Sequence, residues 1–166
     1  MSLHITVQQA LWFLPLALPI CLWVIWSDLR AMRIPNKAVL SLAGVFLVVG
    51  LFVVPQPEYL WRLVALVVML VIGMLANAAG MMGAGDSKFL AAAAPFVALG
   101  DFTLMMIILA TNMIACYATH RLVRASPLSQ LAPDWASWSS GPKFPMGFAL
   151  GSTLVIYLGL GIAFGS

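Results

Sequence analysis

The sequence predicts an all-α bundle of about six transmembrane helices, and three observations lead there. The chain of 166 residues is 63% hydrophobic and only 8% charged, whereas soluble domains carry about 25% charged residues. Its apolar residues fall in repeated runs of roughly 17–21 residues, the length needed to cross a bilayer core as helix. Its basic residues cluster in alternate connectors between those runs. A water-soluble core is excluded, because too few polar residues remain to cover one. The whole of residues 1–166 is expected to form a single integral membrane domain.

Residues 1–9 are polar and lack lysine and arginine, so a secretory n-region is missing and the first run is expected to be retained. That first span covers residues 10–28, with Pro15 and Pro19 expected to kink it, as neighbouring helices in a bundle can tolerate. The connector beyond Asp28 carries Arg30 and Arg33, and Pro35 suits the first turn of the next helix. The second span is residues 37–54. Pro55-Gln56-Pro57-Glu58 marks a turn, and residues 59–79 form the third span, with Arg62 placed to snorkel outward near its start.

Residues 80–87 are a glycine-rich connector. The fourth span, residues 86–100, is short for a full crossing and needs to start at the glycine motif, stand upright or meet a thin membrane. After a turn at Gly100-Asp101 the fifth span runs over residues 102–119. Residues 120–143 form the longest polar segment, and its tryptophans suit the membrane interface. The sixth span is residues 144–164.

Charge orients this scheme. If the Asp28 connector is cytoplasmic, alternation puts Arg30, Arg33, Lys37, Lys88, Arg121, Arg124 and Lys143 inside and only Arg62 outside. That distribution follows the positive-inside rule. Both termini are then expected outside, and Asp28 and Asp86 share the cytoplasmic edge. Cys21 and Cys116 lie within apolar runs and read as small hydrophobes. His4 and His120 have no Cys, His or Glu at ligand spacing, so neither a metal nor another cofactor is expected. No basic patch interleaved with aromatics is present, so no nucleic-acid partner is expected; the lipid bilayer is.

Ionisable groups at membrane depth are costly and usually functional, which singles out Asp28 and Asp86. Taken alone, Asp28 reads as an interfacial residue pairing with Arg30 or Arg33, and Asp86 as a first-turn residue favoured by the helix dipole. Glu58 and Asp101 read as turn residues on the other face. Taken together, Asp28 and Asp86 suggest more. Two facing carboxylates cannot both ionise easily, so they share a proton; one then activates water while the other protonates the substrate. Gly83 and Gly85 free the backbone beside Asp86 to admit an extended peptide.

Asp28-Leu29-Arg30-x-x-x-Ile34-Pro35-Asn36 followed by Gly83-x-Gly85-Asp86-x-Lys88 resembles the paired signature of type IV prepilin peptidases, which are Gly-x-Gly-Asp membrane aspartic proteases. Phe144-Pro145-Met146-Gly147-Phe148 resembles the Pro-Phe-Gly-like opening of that family's last span, with Met146 departing from it. The resemblance extends over roughly residues 10–160 and implies an aspartic endopeptidase of the bacterial inner membrane. Its partner would be a prepilin or pseudopilin with a basic leader and an apolar helix, cut at the cytoplasmic edge. It implies Asp28 and Asp86 as the catalytic pair, Gly83 and Gly85 as shaping the loop, and Arg30, Pro35, Asn36 and Lys88 as supports. Larger members carry two Cys-x-x-Cys pairs and also methylate the new N-terminus. This chain has no such region and resembles the small, peptidase-only type that serves Flp (tight-adherence) pili, so methyl transfer and zinc are not expected.

Two other readings belong to different classes. An ion- or proton-coupled transporter would show an internal repeat and charges near the midplane, and neither is seen in the sequence. A non-enzymatic membrane protein of pilus or secretion assembly would leave both aspartates free to vary.

Overall fold

With no water in a bilayer core, an apolar chain must satisfy its backbone N–H and C=O groups internally, and a helix does this within one segment. The computed structural model describes residues 3–141 and 143–166. Among them are seven helices and no β-strand: α1 (Val7–Ala31), α2 (Asn36–Val53), α3 (Gln56–Ala78), α4 (Ala84–Ala93), α5 (Phe102–Ala125), α6 (Ala136–Ser139) and α7 (Met146–Phe164). Five of these, α1, α2, α3, α5 and α7, are long and apolar enough to cross a membrane. The chain is an all-α polytopic bundle.

Local chemistry explains most of the helix ends. Thr6 caps α1 by accepting from the Gln9 N–H at 3.1 Å, and the helix then continues through Pro15 and Pro19. It stops at Met32, which takes a left-handed conformation at φ 51° and closes the C-terminus. Pro35 precedes α2 in extended backbone. α5 runs on to Ala125, so His120, Arg121 and Arg124, expected in the connector, are helical; Pro127 disfavours helix at Ser126 and ends it.

The fourth pass differs most from expectation. Instead of one helix over residues 86–100, α4 has 10 residues and ends at Ala93. A 3₁₀ turn (Ala94–Phe96), extended residues and a second 3₁₀ turn (Leu99–Asp101) follow. Pro95 explains the break, since it has no N–H to continue the helical ladder. The segment still reaches from one end of the bundle to the other. Its start lies against Ile34, just past the C-terminus of α1, while Asp101 accepts from the His4 and Ile5 N–H groups at 2.9 and 3.0 Å. Broken backbone at such depth is tolerated where protein buries it, and Ala93, Pro95, Phe96 and Ala98 are all buried.

Two features hold the bundle at the end away from Asp28. Phe13, Phe46, Tyr59 and Phe96 join α1, α2, α3 and the 94–96 turn, with ring centroids 5.0–5.7 Å apart. Beside them Arg62 is fully buried, which overturns the expectation that it snorkels outward. Glu58 one turn earlier pairs with it at 2.6 Å, and it donates to Gln9 Oε1 at 2.9 Å and the Pro95 carbonyl at 3.4 Å. Apolar packing alone could not satisfy the guanidinium, so the charge is kept inside by partners from three segments.

Glu58 therefore sits in the first turn of α3 rather than in a turn. Asp101 is more than a turn residue: it is buried and also accepts from the Tyr157 hydroxyl at 2.8 Å. Arg62→Ala is expected to destabilise the detergent-solubilised protein by about 3 kcal/mol. Denaturant unfolding measures this, and a loss under about 1 kcal/mol would remove the network's structural role.

Candidate active site

The opposite end of the bundle gathers the residues singled out from sequence. Asp28 lies in the last turns of α1 and is buried. Its Oδ2 accepts from the Gly147 backbone N–H at 2.7 Å, one of the free donors at the start of α7. Asp86 is the third residue of α4 and partly buried. From there its carboxylate reaches back to the Gly83 backbone N–H, the reciprocal half of a capping box. A Cβ on Gly83 would lie 2.6 Å from Asp86 Oδ2, so glycine is what lets that carboxylate fold back. Asp86 comes to the same end of the bundle as Asp28 because Gly85, beside it, packs on Ile34 in the connector that follows Asp28. Each thus rests on a backbone N–H at a helix N-terminus, where the dipole favours a carboxylate.

Close approach of backbone sets this arrangement. A Cβ on Gly85 would stand 3.2 Å from the Ile34 Cβ, so glycine seats α4 directly on the connector that follows Asp28. On the other side of α4, a Cβ on Gly73 would stand 2.9 Å from the Ser87 Cβ. Ser87 in turn donates to the Gly83 carbonyl through its N–H at 3.0 Å and its hydroxyl at 3.1 Å. The connector itself is tied by the Ser27 hydroxyl, which donates to the Arg33 carbonyl at 2.9 Å.

The expected supports divide. Lys88 Nζ donates to Asn36 Oδ1 at 3.3 Å, so these two residues join the halves of the motif across the surface, where such a contact contributes little. Pro35 shapes the entry to α2 through its extended backbone, and its carbonyl accepts from the Ala38 and Val39 N–H groups. Arg30 is not brought to the carboxylates; it is exposed, with its guanidinium 5.0 Å above the Trp26 ring.

The segment after α5 folds over the same end. His120 stacks on Trp138 with ring centroids 5.0 Å apart and meets the edge of Phe144 at 5.8 Å. Arg121 and Arg124 both donate to the Gly141 carbonyl at 3.1 Å, and α6 packs against α1. Gly147, Ile34 and Gly73 were given no role from sequence. Gly147 and Ile34 stand inside the quoted motifs, but the contact that matters for each comes from a segment distant in sequence.

Fold and site together define a polytopic helical membrane protein with two acidic residues, Asp28 and Asp86, gathered at one end of the bundle. A family model described as the type IV leader peptidase family matches residues 15–119. The chain belongs to that family, and a peptidase role follows in general terms. The matched stretch includes both aspartates and all the expected supports and ends before α7. A search of curated proteins finds no match, and a search of solved structures finds none either.

Proposed function

We propose that this chain is an aspartic endopeptidase that removes the basic leader from type IV prepilins or pseudopilins at the cytoplasmic edge of the bacterial inner membrane. The observation that carries the reading is that Asp28 and Asp86, from helices far apart in sequence, come to the same end of the bundle, where Gly85 beside Asp86 packs on Ile34 just past Asp28. Brought together over a substrate, two such carboxylates would hold one proton between them. The ionised one takes a proton from water as the water oxygen adds to the scissile carbonyl carbon. The protonated one donates to the carbonyl oxygen, and the amine leaves with a proton as the C–N bond breaks.

The substrate's apolar segment would pack along the bundle while its basic leader stays in the cytoplasm. With no Cys-x-x-Cys pairs in the sequence, the activity is peptidase without methyl transfer. The test is co-expression with a candidate prepilin, such as one of tight-adherence type. Loss of the leader is read as a size shift that needs both aspartates. Cleavage by both single Asn variants would sink the proposal.

The orientation has its own check. Single cysteines introduced at Met32, Ala84 and Asp134 are expected to react with membrane-impermeant reagents only from the cytoplasmic side, and one at Pro57 only from outside. Reaction at position 84 from outside would invert the topology.

A further inference from the structure

Gly147 lies beyond the matched residues 15–119, and its contact with Asp28 ties α7 directly to the carboxylate pair. Pro145, in extended backbone, precedes α7, so Met146 and Gly147 supply the first N–H groups of the helix, which have no partner within it. The Gly147 N–H points at Asp28 Oδ2. A Cβ on Gly147 would lie 2.9 Å from Oδ2, 3.0 Å from the Asp28 Cβ and 3.1 Å from its Cγ, so any side chain there must displace the carboxylate or the helix. One turn on, a Cβ on Gly151 would stand 3.0 Å from Ile25 Cγ1 and 3.2 Å from the Cys21 carbonyl. Gly147 and Gly151 are thus a small-x-x-x-small pair along which α7 approaches α1, and α1 with α7 is the most extensive helix pairing in the bundle.

We propose that Gly147 is a positioning residue for the reaction: its backbone N–H orients the Asp28 carboxylate toward Asp86, and its lack of a side chain is what allows that bond. The inference rests on the aspartic-peptidase reading. Held by a rigid donor at the end of a packed helix, one carboxylate oxygen stays on α7, which leaves the other for proton exchange. Chemistry that depends on such geometry is sensitive to displacements near 1 Å.

The test uses the full chain in detergent and the prepilin that the parent protein cleaves in co-expression. Gly147→Ala is expected to lower kcat at least about tenfold, with KM within about twofold of the parent. Gly159→Ala, where a Cβ meets nothing within 4 Å, serves as the unchanged control. Gly151→Ala disturbs the same helix pair without touching the carboxylate, so it lowers the melting temperature while the folded protein keeps its kcat. A kcat for Gly147→Ala within about twofold of the control overturns the proposal. So do equal losses of kcat in Gly147→Ala and Gly151→Ala, which would mean packing alone.

If Gly147→Ala does not fold, the amide resonance of Gly147 in glycine-labelled parent protein gives the answer. Asp28→Asn is expected to move it more than Asp86→Asn does, and an unmoved resonance refutes the bond. The Asn variants also separate this inference from its premise. If they still cleave, the aspartic reading fails and takes the inference with it; if they are inactive while Gly147→Ala is fully active, only the role of Gly147 is lost.

Discussion

Replacing either Asp28 or Asp86 with Asn is expected to reduce prepilin cleavage by about 10²–10⁴-fold, the usual worth of a general acid or base. That corresponds to roughly 3–5.5 kcal/mol of transition-state stabilisation. Asn keeps the size of the side chain and an oxygen for the Gly147 or Gly83 N–H, so geometry survives while proton exchange is lost. Stability is expected to hold or rise, because Asp28 is buried and Asn removes a charge that burial disfavours. Inactive protein should therefore still accumulate in the membrane.

Asp101→Asn gives the opposite pattern and makes the comparison decisive. Asp101 accepts from two backbone N–H groups and the Tyr157 hydroxyl at the far end, and a single amide oxygen cannot replace a carboxylate there. It should melt at lower temperature while the folded fraction keeps its kcat. The double variant Asp28→Asn/Asp86→Asn should be scarcely worse than either single one, as residues acting as a unit are not additive.

Gly85→Leu is expected to lower kcat by about 10²-fold, the scale of loss from a 1 Å misplacement of reacting groups. Even a Cβ at position 85 would press against Ile34 at 3.2 Å, and a leucine must push α4 away from the connector, carrying Asp86 from Asp28. Ile34→Ala alone should be mild, and combined with Gly85→Leu it should recover a good part of the lost rate. Steady-state kinetics on the two single variants and the pair measure the coupling. Simple additivity would show that Gly85 acts by something other than its contact with Ile34.

Much of the fold was legible because membrane burial imposes one rule on the whole chain: long apolar runs become helices. Asp28 and Asp86 drew attention for a related reason, since acidic residues stand out against an apolar background, and the structure brings both to one end of the bundle. What could not be read depended on contacts between distant segments. Arg62 looked free to snorkel because its partners Gln9 and Pro95 lie far away in sequence. The short α4 was suspected from length, but the rebuilt path through Phe96 to Asp101 needed the tertiary burial that shelters it. Arg30 matched a motif, yet it turns to Trp26 instead of the carboxylates. Gly147 stood inside a quoted motif, yet its role was not legible there, because what it contributes is a backbone N–H and the absence of a side chain.

The buried Arg62 cluster also has a mechanical meaning for the other end of the molecule. Gln9 and Asp28 sit on one continuous helix, roughly 30 Å apart at 1.5 Å of rise per residue. Over that lever arm, a tilt of α1 by about 2° about Gln9 swings the carboxylate by about 1 Å, the scale at which positioned chemistry degrades. The hydrogen bonds on Gln9, Glu58 and Pro95 thus set an angular tolerance for the placement of Asp28 at the opposite end of the bundle, and so for the reaction proposed there.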